Sequence, residues 1–294
     1  MTMVTFHTSN PIEVGVEIPS GSIHVIAGDQ AETNVVVNPT DPSDRADTAA
    51  AEKTHVEFTD GRLTVRTPKT GGIGGLMGIG RPGSVQITIE ISEKSSLDLT
   101  TGFGDVRADG RFGDVHVQSG AGAIHVDLVT HARLATSAGS LSLTRANGDV
   151  EVAGGGDMRI ERVDGSAEIK NVNGETWIGE VRGRLRVRAA NGSIHVVRAH
   201  TDLAARTANG KIEVGEVISG SVTLATGSGH IEIGIGEGTS AWVDARTRFG
   251  RVDNSLEGTE DPPPREHVEA RARTSFGDIS IHRSSIEKSQ AGER

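Results

Sequence analysis

KNVNGETWIGEVRGRLRVRAANGSIHV, residues 170–196, carries the pattern from which the fold can be read. Gly174, Gly183 and Gly192 stand nine residues apart. Each is followed by the same short alternation: Thr176-Trp177-Ile178, Leu185-Arg186-Val187 and Ile194-His195-Val196. In two of the three units the side chains run apolar, polar, apolar. That is the mark of a strand with one face buried and the other in water. Asn173-Gly174 and Asn191-Gly192 place before two of these strands a dipeptide that tolerates the left-handed backbone of a tight corner.

Working outward, the same frame fits eighteen glycines: 21, 61, 83, 104, 113, 122, 139, 148, 156, 165, 174, 183, 192, 210, 220, 229, 250 and 277. Among the flanking positions only Thr176 and Asn254 are not apolar, and among the middle positions only Trp177 is not polar. Degenerate units, Ala132-Arg133-Leu134 and Leu203-Ala204-Ala205, fill two double gaps. A second regularity doubles the period. Six residues after the glycine, alternate units carry Arg145, Arg162, Glu180, Arg198 and Glu216, and the units between them carry Gly154, Asn171, Ala189, Thr207 and Thr226. The Gly-Glu-Val of 179–181 also recurs at 215–217. A meander of hairpins has no reason to distinguish odd from even strands, whereas a coil stacks equivalent positions rung on rung. The pattern predicts an all-β chain, a parallel β-solenoid or β-helix of about eighteen residues and two strands per coil. A coil of about twenty-seven residues and three strands is the alternative.

Residues 1–100 follow the frame loosely and read as an N-terminal β-rich capping region, 101–283 as the solenoid repeats and 284–294 as a disordered tail. Residues 38–54 read as a loop with a short helix, and DPPPRE at 261–266 as a loop. A solenoid needs its open ends covered, because a bare sheet edge templates aggregation.

The composition supports thin coils. The chain of 294 residues has 39 glycines but only six Phe, two Trp and no Tyr, and a narrow two-sheet interior has little room for rings. The formal net charge of −10 disfavours nucleic acid, whose phosphates call for a basic surface. The absence of cysteine excludes disulfides and cysteine-ligated metals. MTMVTFHTSNPIEV at residues 1–14 has neither the basic nor the apolar segment of a secretory signal, and no apolar run is long enough to span a membrane. The expectation is a cytoplasmic protein without a membrane span.

DGRLTV (60–65), the opening run 170–196, TANGKIEVGEV (207–217) and RARTSFGDISI (271–281) together resemble a bacterial β-strand-repeat, adhesin-like family of unknown function, in its leaderless actinobacterial form. The likeness covers nearly the whole chain. It implies a β-solenoid fold and no reaction, because that family brings no catalytic residues to carry over.

Four histidines, His24, His116, His125 and His195, hold the outward middle position. Their spacing in the eighteen-residue frame predicts separate, solvent-facing side chains rather than a metal site. Trp177 breaks the polar rule, and the frame stacks it between Arg159 and His195 as a candidate binding strip. Trp242 is its counterpart on the other sheet, expected beside Thr223. The run GGIGGLMGIGRPG (71–83) lacks the Lys-Ser/Thr ending of a phosphate loop and reads as a mobile loop, with Ile73, Leu76, Met77 and Ile79 as a small contact patch. Asp follows the frame glycine at 105, 114, 149, 157 and 278, which fits turn capping better than a calcium roll. Glu151 with Glu168 and Glu213 with Glu232 form acidic ladders only two rungs long, too short to gather carboxylates for acid–base work.

The expectation is a non-catalytic scaffold or protein-interaction module, with no cofactor and no metal. Its binding residues would be Trp177, Arg159, His195 and Trp242, and its partner another protein or its own copy. A carbohydrate-binding or carbohydrate-processing β-helix and a self-assembling filament are the alternatives.

Overall fold

The computed structural model describes residues 2–8, 10–68, 83–256 and 266–284. It divides into two compact units, Met1–Asn147 and Gly148–Arg294. The glycine run up to residue 82, with Ile73, Leu76, Met77 and Ile79, the segment 261–265 and the tail from 285 lie outside the described residues.

In the first unit, Ser96–Phe103, Asp114–Ala121 and His131–Ala138 form one parallel sheet. Val106–Arg111, Ile124–Val129 and Leu141–Ala146 form the facing one. Each strand pairs with the next strand but one, so Leu97 meets Val115 and Val115 meets Ala132. Two strands therefore complete a coil, not three. The sixteen-residue strand Glu13–Gly28 makes a coil by itself. Its first half lies between Arg62–Arg66 and Ser96–Phe103. Its second half lies between Val85–Ser92 and Val106–Arg111.

Beyond that coil the pairing turns antiparallel. Glu32–Pro39 runs against Val85–Ser92 and Thr2–His7, and His55–Thr59 folds back on Arg62–Arg66. The helix Arg45–Glu52 falls within the segment 38–54. Asp44 caps it by accepting the N–H groups of Ala46 and Asp47, the usual way of satisfying a first turn. Asp47 is buried, and its carboxylate accepts the N–H groups of Asp41 and Ser84. Ala50 and Ala51 are the helix's buried apolar side chains.

The second unit repeats the two-sheet coil. One sheet contains Met158–Val163, Thr176–Val181, Ile194–Ala199, Ile212–Val217 and Ile231–Ile235, in register except for a shift that pairs Val217 with Ile235. The other contains Val150–Gly154, Ala167–Asn171, Leu185–Ala189, Leu203–Asn209 and Gly220–Ser228. The last two coils exchange places. Glu266–Phe276 and Ile279–Arg283 stack directly on Gly220–Ser228 and Ile231–Ile235. Thr239–Phe249 and Val252–Asn254, although earlier in the chain, lie outside them. Every flanking position of the glycine frame is buried except Val252 and Asn254, which belong to this outer coil and have a neighbour on one side only. The same exchange separates Trp242 from Thr223. Thr223 pairs with Arg271, and Trp242 pairs with Glu269.

The difference between odd and even strands has a steric cause. On the sheet that carries Trp177 the buried positions are first, third and sixth, as in Ile194, Val196 and Ala199. On the other sheet they are first, third and fifth, as in Leu203, Ala205 and Thr207. The extra residue turns Arg198 and Glu216 outward, where a long charged side chain is solvated. The fifth position on the other sheet points into the corner of the coil, where only a small side chain fits. The hydroxyls of Thr207, Thr226 and Thr274 donate there to the carbonyls of Gly192, Gly210 and Gly229 at 3.2, 3.0 and 3.0 Å. The corner backbone cannot carry a side chain. Gly122 has φ +138°, and a Cβ on it would meet the Gly104 carbonyl oxygen at 2.2 Å. The aspartates after the frame glycines also serve the corners. Asp105, Asp149, Asp157 and Asp278 each accept a backbone N–H from a neighbouring coil at 2.8 Å.

Candidate binding face

In the second unit the outward middle positions of one sheet form a single column. Arg159, Trp177, His195, Glu213, Glu232 and Ser280 follow one another rung by rung. The stacking is a direct product of register, since parallel strands one coil apart put equivalent residues side by side. The Arg159 guanidinium lies 3.9 Å from the centre of the Trp177 ring, within cation–π range. The His195 ring, from the next rung, stacks on the indole at 6.4 Å and 18°. The indole reaches along its strand over Gly179: its Cη2 lies 3.2 Å from where a Cβ on Gly179 would stand. Gly179 therefore lets the ring lie close to the sheet, and Trp177 is half-buried.

Ion pairs continue the column. His195 Nδ1 is 3.4 Å from Glu213, and Lys211 Nζ reaches both Glu213 and Glu232, at 2.7 and 2.8 Å. His282 approaches Glu232 at 3.3 Å. The hydrogen bonds that Lys211 donates to Glu213 and Glu232 raise its ammonium above its usual value. The bond from Lys211 holds the Glu232 carboxyl below its own. On the opposite sheet of this unit Lys170 ties the Glu151–Glu168 pair, and its hydrogen bond lowers the Glu168 carboxyl.

A second charged column runs beside the first through Arg162, Glu180, Arg198 and Glu216. Glu180 is its centre. It accepts from His200 at 2.7 Å and lies within 3.6 Å of Arg162 and Arg182. Burial alone would raise the Glu180 carboxyl, but the His200 bond and the two guanidinium charges outweigh it and hold it below its ordinary value. Arg198 pairs with Glu216. The alternating charges were visible in the sequence. His200, Lys211 and His282 were not, because they fall outside the repeat frame.

Arg159, Trp177 and His195 thus come together on one sheet. Trp242 does not join them. It lies on the other sheet of the unit, 49% exposed, with the Arg271 guanidinium 5.8 Å from its ring centre. No helix among the described residues is long and apolar enough to cross a membrane.

The sequence profile of the Toastrack DUF4097 family matches residues 16–287. No curated protein matches the chain. Among solved structures, a candidate adhesin from Parabacteroides distasonis is similar at 11% identity and a TM-score of 0.43, over 95% of this chain and 96% of that one. A candidate lipid-binding protein from the same organism is similar at 13% identity and a TM-score of 0.42, over the same shares.

Proposed function

Since the chain belongs to the Toastrack DUF4097 family, we propose that it serves as a non-catalytic protein-interaction module, and that the column through Arg159, Trp177 and His195 makes the contact. The observation that carries this reading is the packing of Trp177. Arg159 flanks the indole on one side and His195 on the other. A sugar stacks on an open ring face, and here the Arg159 guanidinium lies over the ring at 3.9 Å. What remains is an amphipathic edge in a mixed-charge surface, which suits a polypeptide partner.

The carboxylates favour a non-catalytic reading. A glycosidase acid needs a carboxyl raised toward neutrality. Glu232 and Glu168 are both lowered, each by a lysine hydrogen bond.

The test is affinity capture with the full chain and with Trp177→Ala and Arg159→Ala, run beside a glycan array. A discrete protein retained by the unaltered chain and lost from both variants is the expected result. Equal retention by all three chains would remove the column from the account. Product release from a glycan, abolished by Glu232→Gln, would replace the module with an enzyme.

A further inference from the structure

The first unit holds a group of side chains that breaks the repeat. On the sheet containing Ile124–Val129, the outward side chains of three consecutive rungs are His24, Arg107 and His125. Next to them stand Asp109 and Asp127. The strand Val106–Arg111 is irregular here: Val126 pairs with Ala108 but Leu128 pairs with Arg111. Two residues, Asp109 and Gly110, therefore face Asp127 alone. The strand Ile124–Val129 beside it buries its first, third and sixth positions, Ile124, Val126 and Val129, whereas this strand buries Val106, Ala108 and then Phe112. The extra residue is accommodated at Gly110, with φ +112°. Bulges of this kind re-aim side chains and concentrate at functional sites.

The bulge aims two carboxylates at one imidazole. Asp109 uses one oxygen, Oδ2, to accept from His24 Nε2 at 2.8 Å and from Arg107 Nε at 2.7 Å. Asp127 uses its own Oδ2 to accept the Gly110 N–H at 3.1 Å. The remaining oxygens turn toward His125 Nε2, with Asp127 Oδ1 at 3.1 Å and Asp109 Oδ1 at 4.0 Å. Asp109 Oδ1 is fully buried and accepts no hydrogen bond among the described residues. A buried carboxylate oxygen without a donor is costly, and it calls for a cation or a proton. Burial alone would raise the Asp109 carboxyl, but the bonds from Arg107 and His24 outweigh it and keep it below its usual value.

We infer that Asp109, His125 and Asp127 form a binding site for a divalent first-row transition cation, with His24, Arg107 and the Gly110 N–H holding the outer oxygens of the two carboxylates. One ligand atom from each residue lies within 4.8 Å of the others. Around zinc, with bonds of about 2.0–2.1 Å, adjacent corners of a tetrahedron stand about 3.4 Å apart. The distances of 3.1 and 4.0 Å from His125 Nε2 to the two carboxylates bracket that spacing, and the edge between the carboxylates is within 4.8 Å. The fourth corner faces solvent and takes water or a group from a partner. An imidazole with two single carboxylate oxygens suits zinc and its neighbours in the transition series. It falls well short of the six to eight oxygens that calcium takes. His24 and Arg107 act through Asp109, as the outer partners of ligating carboxylates do.

Calorimetric titration of the chelator-treated full chain with zinc chloride, and separately with calcium chloride, tests the site. One equivalent of zinc should bind with micromolar or tighter affinity, and calcium should not bind. Asp109→Asn and His125→Gln should each weaken zinc at least tenfold. His24→Gln should weaken it by about tenfold, the usual effect of losing an outer partner. His116→Gln, on the facing sheet, should leave it unchanged. Ring resonances of 15N-labelled histidine give a readout on the unaltered chain. Zinc should shift His125 and leave His195, His200 and His282 in place. No zinc binding, binding indifferent to both ligand variants, or a shift at His282 in place of His125 would each overturn the assignment.

Discussion

The carbonyl oxygen of Gly192 stands 2.2 Å from where a Cβ on Gly210 would be placed, and Gly210 has φ +146°. Corner backbones of successive coils are thus in direct contact, in a conformation that L side chains rarely adopt. Gly210→Ala must distort both coils. We expect a loss of several kcal/mol, well above the ~1 kcal/mol typical of a point substitution. Urea unfolding measures it. A loss below about 1 kcal/mol would show that the corner has room to relax.

The corner hydroxyls can be removed with little change of shape. Thr226 donates to the Gly210 carbonyl at 3.0 Å inside the coil. Thr226→Val keeps the volume and leaves that carbonyl with one partner fewer. The expected cost is about 1 kcal/mol, and Thr226→Ser should recover most of it. If valine stabilises the chain, the hydroxyl ladder is not a source of stability.

Glu180 makes stability depend on acid. Its folded-state carboxyl is held below the ordinary value of 4.5. The stabilisation is therefore complete above about 4.5 and is lost as the pH falls through the lower folded-state value. Glu180→Gln should cost roughly 1 kcal/mol at neutral pH, between a surface ion pair and a charged hydrogen bond. That deficit should shrink as the pH falls below about 4.5 and on through the lower folded-state value. Thermal melts of the two chains from pH 7 to 3 check the sign. A deficit that grew as the pH fell below about 4.5 would contradict it.

Arg159 should protect the Trp177 indole from quenchers. In a Trp242→Phe background, which leaves one fluorophore, Arg159→Ala should raise acrylamide quenching measurably. It should destabilise the chain by no more than about 1 kcal/mol, as expected for a half-exposed cation–π pair. Unchanged quenching would mean that the guanidinium does not cover the ring in solution.

The neighbours of Trp177 could be read from the chain because they lie in consecutive coils. Eighteen residues separate each pair, and Arg159, Trp177 and His195 stack accordingly. The first and third positions of each strand were equally legible, since alternation decides them, whereas buried sixth positions such as Ala199 break it. What period counting cannot supply is the order in which coils stack. His24 meets Asp109 across 85 residues because Glu13–Gly28 takes its place beside Val106–Arg111. Trp242 lost its expected neighbour, Thr223, because Glu266–Phe276 stacks between their two strands. The approach of Asp109 to His125 depends further on one inserted glycine, which no repeat average retains.

The placement of Glu13–Gly28 bears on how the chain is made. Ile23 and Val25 leave the ribosome well before Val106 and Ala108, the residues opposite them. At translation rates of about 5–20 residues per second, the gap of some eighty residues lasts on the order of 4–16 s. Through that interval the strand's ladder groups on this side have no partner of their own chain. A nascent polypeptide held at this stage presents an open strand edge, the kind of surface on which premature association begins.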